Sequence, residues 1–144
     1  MANKIKILLI DNDEMACIYF RDIFWMHGRS DTYEVAIVSS FKEAEKKIMD
    51  ENTKPDTIFL DAMMKIKGES NNLNEQIKRT LAFIEKIKND KNLSSIKIII
   101  FSAQKEKSTE DIFRNAGANG YLVKGELMPK EIIDFTDKIH EPGN

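Results

Sequence analysis

The sequence predicts an α/β domain in which a parallel sheet is wound on both faces by helices, and three observations carry that reading. Five short runs of β-favouring apolar residues alternate with five stretches whose apolar positions recur at helical spacing. The central run, beginning Thr57-Ile58-Phe59-Leu60 and set off by Pro55-Asp56, is apolar without alternation, as a strand covered on both faces must be. Four of the five runs stop at a polar residue of chemical interest: Asp11-Asn12-Asp13, Asp61, Ser102 and Lys124. In open α/β sheets, ligands bind at the carboxyl ends of the strands.

Taken in order, Ile5 to Ile10 is the first strand. From Glu14 to about His27 the positions Met15, Ile18, Phe20, Ile23, Phe24 and Met26 follow a helical period, with Gly28 as the stop. Tyr33 to Val38 is a second strand. Ser40 and Glu43 then form a capping box for a helix reaching about Glu51. The third strand ends at Asp61 inside the stretch Thr57 to Met64. A polar segment from Lys65 to about Asn74 feeds a helix marked by Leu73, Ile77, Leu81, Ile84 and Ile87. Ile96 to Phe101 is the fourth strand, and Ser108 to Asp111 opens a short helix stopping at Ala116-Gly117. Gly120 to Val123 is the fifth strand. Pro129 suits the first turn of a last helix, which carries Ile132, Ile133, Phe135 and Ile139 and stops before Pro142-Gly143. Right-handed crossovers between such elements predict a flavodoxin-like, doubly wound five-stranded parallel sheet of order 2-1-3-4-5 with five helices. With no internal repeat or linker, residues 1–144 are expected to form one domain.

Composition narrows the function classes. Of the 144 residues 42% are apolar and 32% charged, which predicts a packed core under a solvated surface, not disorder. The formal net charge of −2, with both signs mixed along the chain, speaks against a nucleic-acid partner. No apolar run approaches a membrane span, and Met1-Ala2-Asn3-Lys4 leads straight into a strand without the sections of a signal peptide. The single cysteine, Cys17, fits a reducing cytoplasm and reads as a small apolar residue. His27 and His140 are too far apart for ligand-like spacing, so zinc is not expected.

If the sheet is parallel, Asp11-Asn12-Asp13, Asp61, Ser102 and Lys124 all gather on one edge. Carboxylates brought together there repel unless a cation joins them, and oxygen ligation with several waters suits Mg²⁺. Such an edge can receive a phosphoryl group on a carboxylate oxygen. A hydroxyl, Ser102, would bond one phosphoryl oxygen, and an ammonium, Lys124, would offset the negative charge.

At these residues the chain resembles the receiver domains of two-component response regulators, from about residue 4 to 141. The likeness rests on Ile-Asp-Asn-Asp at 10–13, Leu-Asp-Ala-Met-Met at 60–64, Phe-Ser-Ala at 101–103 and Gly-Ala-Asn-Gly-Tyr-Leu-Val-Lys at 117–124. Each motif alone is weak, but four in the right order are specific. The resemblance implies Asp61 as phosphoacceptor, Asp11 as first acid of the acidic pair, Ser102 as switch hydroxyl, Tyr121 as switch aromatic and Lys124 as the phosphate-binding lysine. It implies Mg²⁺ held by Asp11, the residue at position 12, Asp61 and the backbone carbonyl of Met63, with Asp13 as a substitute ligand. Met63 and Gln104 occupy positions that tune the lifetime of the phosphoryl group. The implied partners are a histidine kinase or phosphotransfer protein and a downstream protein target, with the chain a monomer or weak homodimer in the cytoplasm. No output domain follows residue 144, so the expected output is a binding event. The chain is expected to be no enzyme, but a phosphoacceptor that assists its own phosphorylation and dephosphorylation. Phosphorylation would draw Ser102 towards the phosphate and turn Tyr121 inward.

Several positions depart from the family pattern. Asn12 stands where a second acid is usual, which predicts weaker Mg²⁺ binding; Lys65 and Gly125 replace prolines, and Gly125 is expected to loosen the loop carrying Lys124. The segment 66–79 looks like an insertion, read as a solvated loop with an extra helical turn. Trp25, Tyr19 and Phe24 make the first helix unusually aromatic; that helix meets the phosphodonor in this family, while core packing serves each ring at least as well. A receiver acting without phosphorylation as a constitutive interaction module is the alternative. A haloacid-dehalogenase-type phosphatase would need a further acidic pair at a strand end after the lysine, and the only aspartates that follow Lys124 are the helix residues Asp134 and Asp137.

Overall fold

A computed structural model describes residues 3–27 and 30–141. Its elements are β1 (Ile5–Ile10), α1 (Glu14–Met26), β2 (Tyr33–Val38), α2 (Phe41–Met49), β3 (Thr57–Leu60), α3 (Leu73–Lys88), β4 (Lys97–Ser102), α4 (Lys107–Asn115), β5 (Gly120–Val123) and α5 (Pro129–Ile139). The expected stops at Gly28 and Pro142-Gly143 lie outside the described residues. The sheet has the order β2-β1-β3-β4-β5 and every pair is parallel, as the sequence predicts.

The non-alternating strands are explained by the helices on both faces. Leu8, Ile10, Ile58, Leu60, Ile98 and Ile100 point to one face, where Ala44 and Ile48 of α2, Phe83, Ile84 and Ile87 of α3 and Phe113 of α4 cover them. Ile7, Leu9, Phe59, Ile99 and Phe101 point to the other, under Phe20, Ile23 and Phe24 of α1 and Ile132 and Ile133 of α5. Phe20 anchors that second layer, with its ring 4.9 Å from Phe59, 5.1 Å from Phe24 and 5.9 Å from Phe101. Gly120 is required by close packing, since a Cβ there would lie 2.9 Å from the Phe135 ring and 3.1 Å from Ile99.

On α1, two stripes are apolar and only one is core. Phe20, Ile23 and Phe24 are buried, whereas Met15, Ile18, Tyr19, Trp25 and Met26 are exposed, Trp25 at 71%. Core packing therefore holds for Phe24 and not for Trp25 or Tyr19. Helical periodicity alone cannot choose between two apolar faces of one helix. Ser40 caps α2 by accepting from the Glu43 N–H at 3.1 Å, and the Glu43 carboxylate accepts from the hydroxyls of Ser39 and Ser40.

The segment after β3 is an ordered, exposed loop and not a bare linker. Asn72 caps α3, and Asn71 accepts from the Ile66 N–H at 2.8 Å and donates to its carbonyl at 3.2 Å. Arg79, reaching back from α3, donates to Ser70 O at 2.6 Å, Asn71 Oδ1 at 3.1 Å and Met64 O at 3.4 Å. Gly68 takes φ +85°, a conformation open to glycine and costly to other residues.

Candidate functional site

Strand register brings the polar strand ends together. Ile10 pairs with Leu60 and Leu60 with Ile100, so Asp11 and Asp61 leave adjacent strands side by side, with Asp61 N–H bonded to Ile10 O at 3.0 Å. Ser102 pairs with Val123, and the Lys124 N–H donates to Ser102 O at 2.8 Å. The result is an open cleft of ≈ 360 Å³ lined by Asn12, Asp13, Asp61, Met63, Lys65, Ser102, Ala103, Gln104 and Lys124. Asp11 lies beneath it, fully buried.

The charges in the cleft are unevenly shared. Lys124 Nζ lies 2.6 Å from Asp11 Oδ2 and 3.9 Å from Asp61 Oδ2, and also 5.6 Å from the Phe101 ring. The second Asp11 oxygen accepts from the Asp13 N–H at 2.9 Å. Asp61 Oδ1 accepts from the Met63 N–H at 3.1 Å. Burial pushes the Asp61 carboxyl above its ordinary pKa; Lys124 opposes this, Asp11 adds to it, and the Met63 N–H opposes it. Gly125 takes φ +85°, closed to proline, whose φ is fixed near −65°. Lys124 is nonetheless held from both ends, by its backbone bond to Ser102 and its ion pair to Asp11.

Ser102 Oγ accepts from the Gln104 N–H at 3.2 Å, and the Tyr121 hydroxyl donates to Gln104 O at 2.8 Å. Tyr121 is only 8% exposed. The inward position that the family resemblance reserves for the phosphorylated form is therefore already occupied here. Cys17 sits beside this edge with its thiol on Asp11 O, and burial, then Asp11 and Asp13, push its pKa up, away from a reactive thiolate.

For a divalent cation the donors fall short of three free acids. Among the described residues no group of three or more His, Cys, Asp or Glu side chains is placed to hold a metal. Both Asp11 oxygens are engaged, and the Asn12 amide donates to Lys65 O at 2.6 Å. Asp61 and Asp13 line the cleft with Met63. Ala62 O accepts from the Thr80 hydroxyl, Met64 O from Arg79 and Lys65 O from Asn12. Met63 O, between them, takes no donor from the described residues. Two carboxylates, one free carbonyl and water fit a Mg²⁺ ion that keeps much of its hydration.

Asp11, Asn12, Asp13, Asp61, Ser102 and Lys124, expected at this edge, meet there; Lys65, noted only for replacing a proline, and Ala103 of the Phe-Ser-Ala motif line the cleft with them. The donor role of Asn12 was also beyond the sequence, since it joins residues 53 apart along the chain. The phosphatase alternative loses its acids: Asp134 pairs with Lys130 on α5, and Asp137 accepts from Tyr33 OH. No helix of the described residues is long and apolar enough to cross a membrane.

Known proteins agree with this architecture. No curated protein matches the sequence. Among solved structures, a response regulator from Thermotoga maritima superposes with a TM-score of 0.74 at 18% identity, over 95% of this chain and 98% of its own. A CheY-like receiver domain protein from Methanospirillum hungatei gives 0.71 at 21% identity, over 95% and 94%. A response regulator in its manganese-bound form gives 0.66 at 16% identity, over 93% and 90%. At such identities the likeness speaks for the fold. The sequence model of the response regulator receiver domain, however, matches residues 7–135, a span that contains all four strand-end motifs. On that match, the chain belongs to the response-regulator receiver family of two-component signalling.

Proposed function

We propose that the chain is a receiver that accepts a phosphoryl group on Asp61 from a phosphohistidine of a kinase or phosphotransfer protein. The observation that carries this reading is the Asp61 carboxylate in an open cleft, 3.9 Å from an ammonium and beside a hydroxyl. An Asp61 oxygen attacks the phosphorus; the new P–O bond forms as the P–N bond breaks, and the departing imidazole keeps the electron pair and takes a proton. Lys124 then turns from Asp11 to the phosphoryl oxygens, and the Ser102 hydroxyl donates to another of them. Asp61, Asp13 and Met63 O would hold Mg²⁺, aided by Asp11 once Lys124 leaves it; bound there, the ion neutralises charge on the transferred group. A response regulator of the same fold is known in a manganese-bound form, which supports a divalent cation as the partner of such a fold. Movement of Ser102 strains its bond to Gln104 and, through Gln104 O, the Tyr121 hydroxyl, which biases the surface of α4, β5 and α5 towards a downstream protein. The chain acts as a signalling phosphoacceptor, assisting its own phosphorylation and hydrolysis, with Met63 and Gln104 setting the lifetime. The exposed α1 stripe, starting at Met15 two residues beyond cleft-lining Asp13, is the docking face for the phosphodonor, and cytoplasmic location follows from that partnership.

Intact mass after incubation with Mg²⁺ and a small phosphodonor tests the proposal. One phosphoryl adduct is expected, absent in Asp61→Ala and without metal. The constitutive interaction module is the second reading, favoured by Asn12, whose amide is spent on Lys65 O. Absence of any adduct in the native chain would select it.

A further inference from the structure

Asn12 does something that the acid usual at its place cannot do. Lys65 O is only an acceptor, so the atom facing it at 2.6 Å must be a donor, which identifies it as the amide nitrogen. An ionised carboxylate at position 12 would set oxygen against oxygen. The neighbouring carbonyls Ala62 O and Met64 O are tied from the other side, by Thr80 and Arg79 of α3. Among the described residues the Asn12 contact is the one tie from the acidic loop to this segment's carbonyls, and it leaves Met63 O free between the two anchors.

We infer that Asn12 is a positioning residue: its amide staples Lys65 O to the acidic loop and so holds the 63–65 segment, with the Met63 carbonyl, at the rim of the cleft. What the staple serves rests on the reading proposed above; the staple itself is a contact of the resting chain. Asn12→Asp therefore has two opposed effects. It adds a charge that attracts a cation, and it releases the backbone that presents a second ligand.

Amide hydrogen exchange of the full chain, with and without Mg²⁺, separates the staple from simple ligation. Without metal, Asn12→Asp and Asn12→Ala should each speed exchange in the peptide spanning 63–67 by about fivefold, equivalent to about 1 kcal/mol for one hydrogen bond. Exchange in β4 and α5 should stay unchanged, and Asn12→Gln, which keeps the donor on a longer arm, should recover part of the protection. Unchanged exchange in both Asn12→Asp and Asn12→Ala overturns the inference, as does acceleration spread evenly over the chain. A gain in Mg²⁺ affinity in Asn12→Asp with unchanged exchange also overturns it, because Asn12 would then be only a weakened ligand. Intact mass on the same samples keeps the two claims apart. Local acceleration without an Asp61 adduct leaves the staple standing and removes the phosphoacceptor; an adduct with unchanged exchange does the reverse.

Discussion

The two edges of the sheet both bury polar side chains, and they treat them differently. At the amino edge, Thr57 Oγ1 meets His140 Nε2 at 2.7 Å, and Tyr33 OH donates to Asp137 Oδ1 at 2.6 Å. Donors there match acceptors, and the end of α5 closes over them. At the carboxyl edge, Asp11 and Asp61 share the Lys124 ammonium, which favours Asp11, while Asp13 and Lys65 line the same cleft. Thr57 and Asp61 lie at opposite ends of the same short strand, so the difference is not one of burial by β3. One end is matched and contributes stability; the other is left with surplus negative charge, ready for a cation or a group carrying one. Local mismatch in an otherwise consistent structure is where function is expected.

Substitutions can break this contrast, beginning with the largest effect. Lys124→Met leaves the fully buried Asp11 carboxylate without its ammonium and should cost about 3 kcal/mol, read from the urea midpoint. At the amino edge, Tyr33→Phe removes one matched bond and should cost about 1 kcal/mol while leaving the Asp61 adduct unchanged. A loss of adduct in Tyr33→Phe would show the edges to be coupled. Asp61→Asn should raise the urea midpoint slightly in the presence of chelator, because it removes a buried like charge beside Asp11. A lower midpoint would mean that Asp61 is matched after all.

The smallest effect is a pH dependence confined to the amino edge. Burial holds the His140 pKa below its ordinary value and Lys97 acts in the same sense, against Asp56 and Asp137. The folded state thus prefers the neutral ring and binds fewer protons than the unfolded chain. Its contribution is complete above the unfolded value of about 6.5 and is lost as pH falls through the lower folded value. Urea midpoints for native protein and His140→Gln should therefore converge on acidification, with the native chain losing its advantage. A constant difference across that range would remove His140 from the account.

Much of this was legible in the sequence because it depends on neighbours along the chain. Runs such as Ile96 to Phe101 announce buried strands, and parallel pairing of such runs places Asp11, Asp61, Ser102 and Lys124 on one edge. What stayed hidden depends on partners far apart in sequence. Arg79 holds Ser70 and Met64 O, and Asn12 holds Lys65 O; no local period encodes either. Leu73 fits the apolar spacing of α3 yet is 47% exposed. Met15, Ile18 and Met26 likewise fit a core pattern and face solvent. Spacing reports that a face is apolar, and only the packed neighbours decide what covers it.

The seat of Lys124 also determines how the protein should respond to ionic strength. Pairs along α4, such as Lys107 with Asp111 and Arg114 with Glu110, stand in solvent, where dissolved ions screen them over about 8 Å at physiological salt. The Lys124–Asp11 pair has one partner wholly out of water and is screened far less. Added salt should therefore loosen α4 while leaving the resting position of the ammonium in place. Ionic strength becomes a dial that turns the outside of the molecule and barely reaches its charged centre.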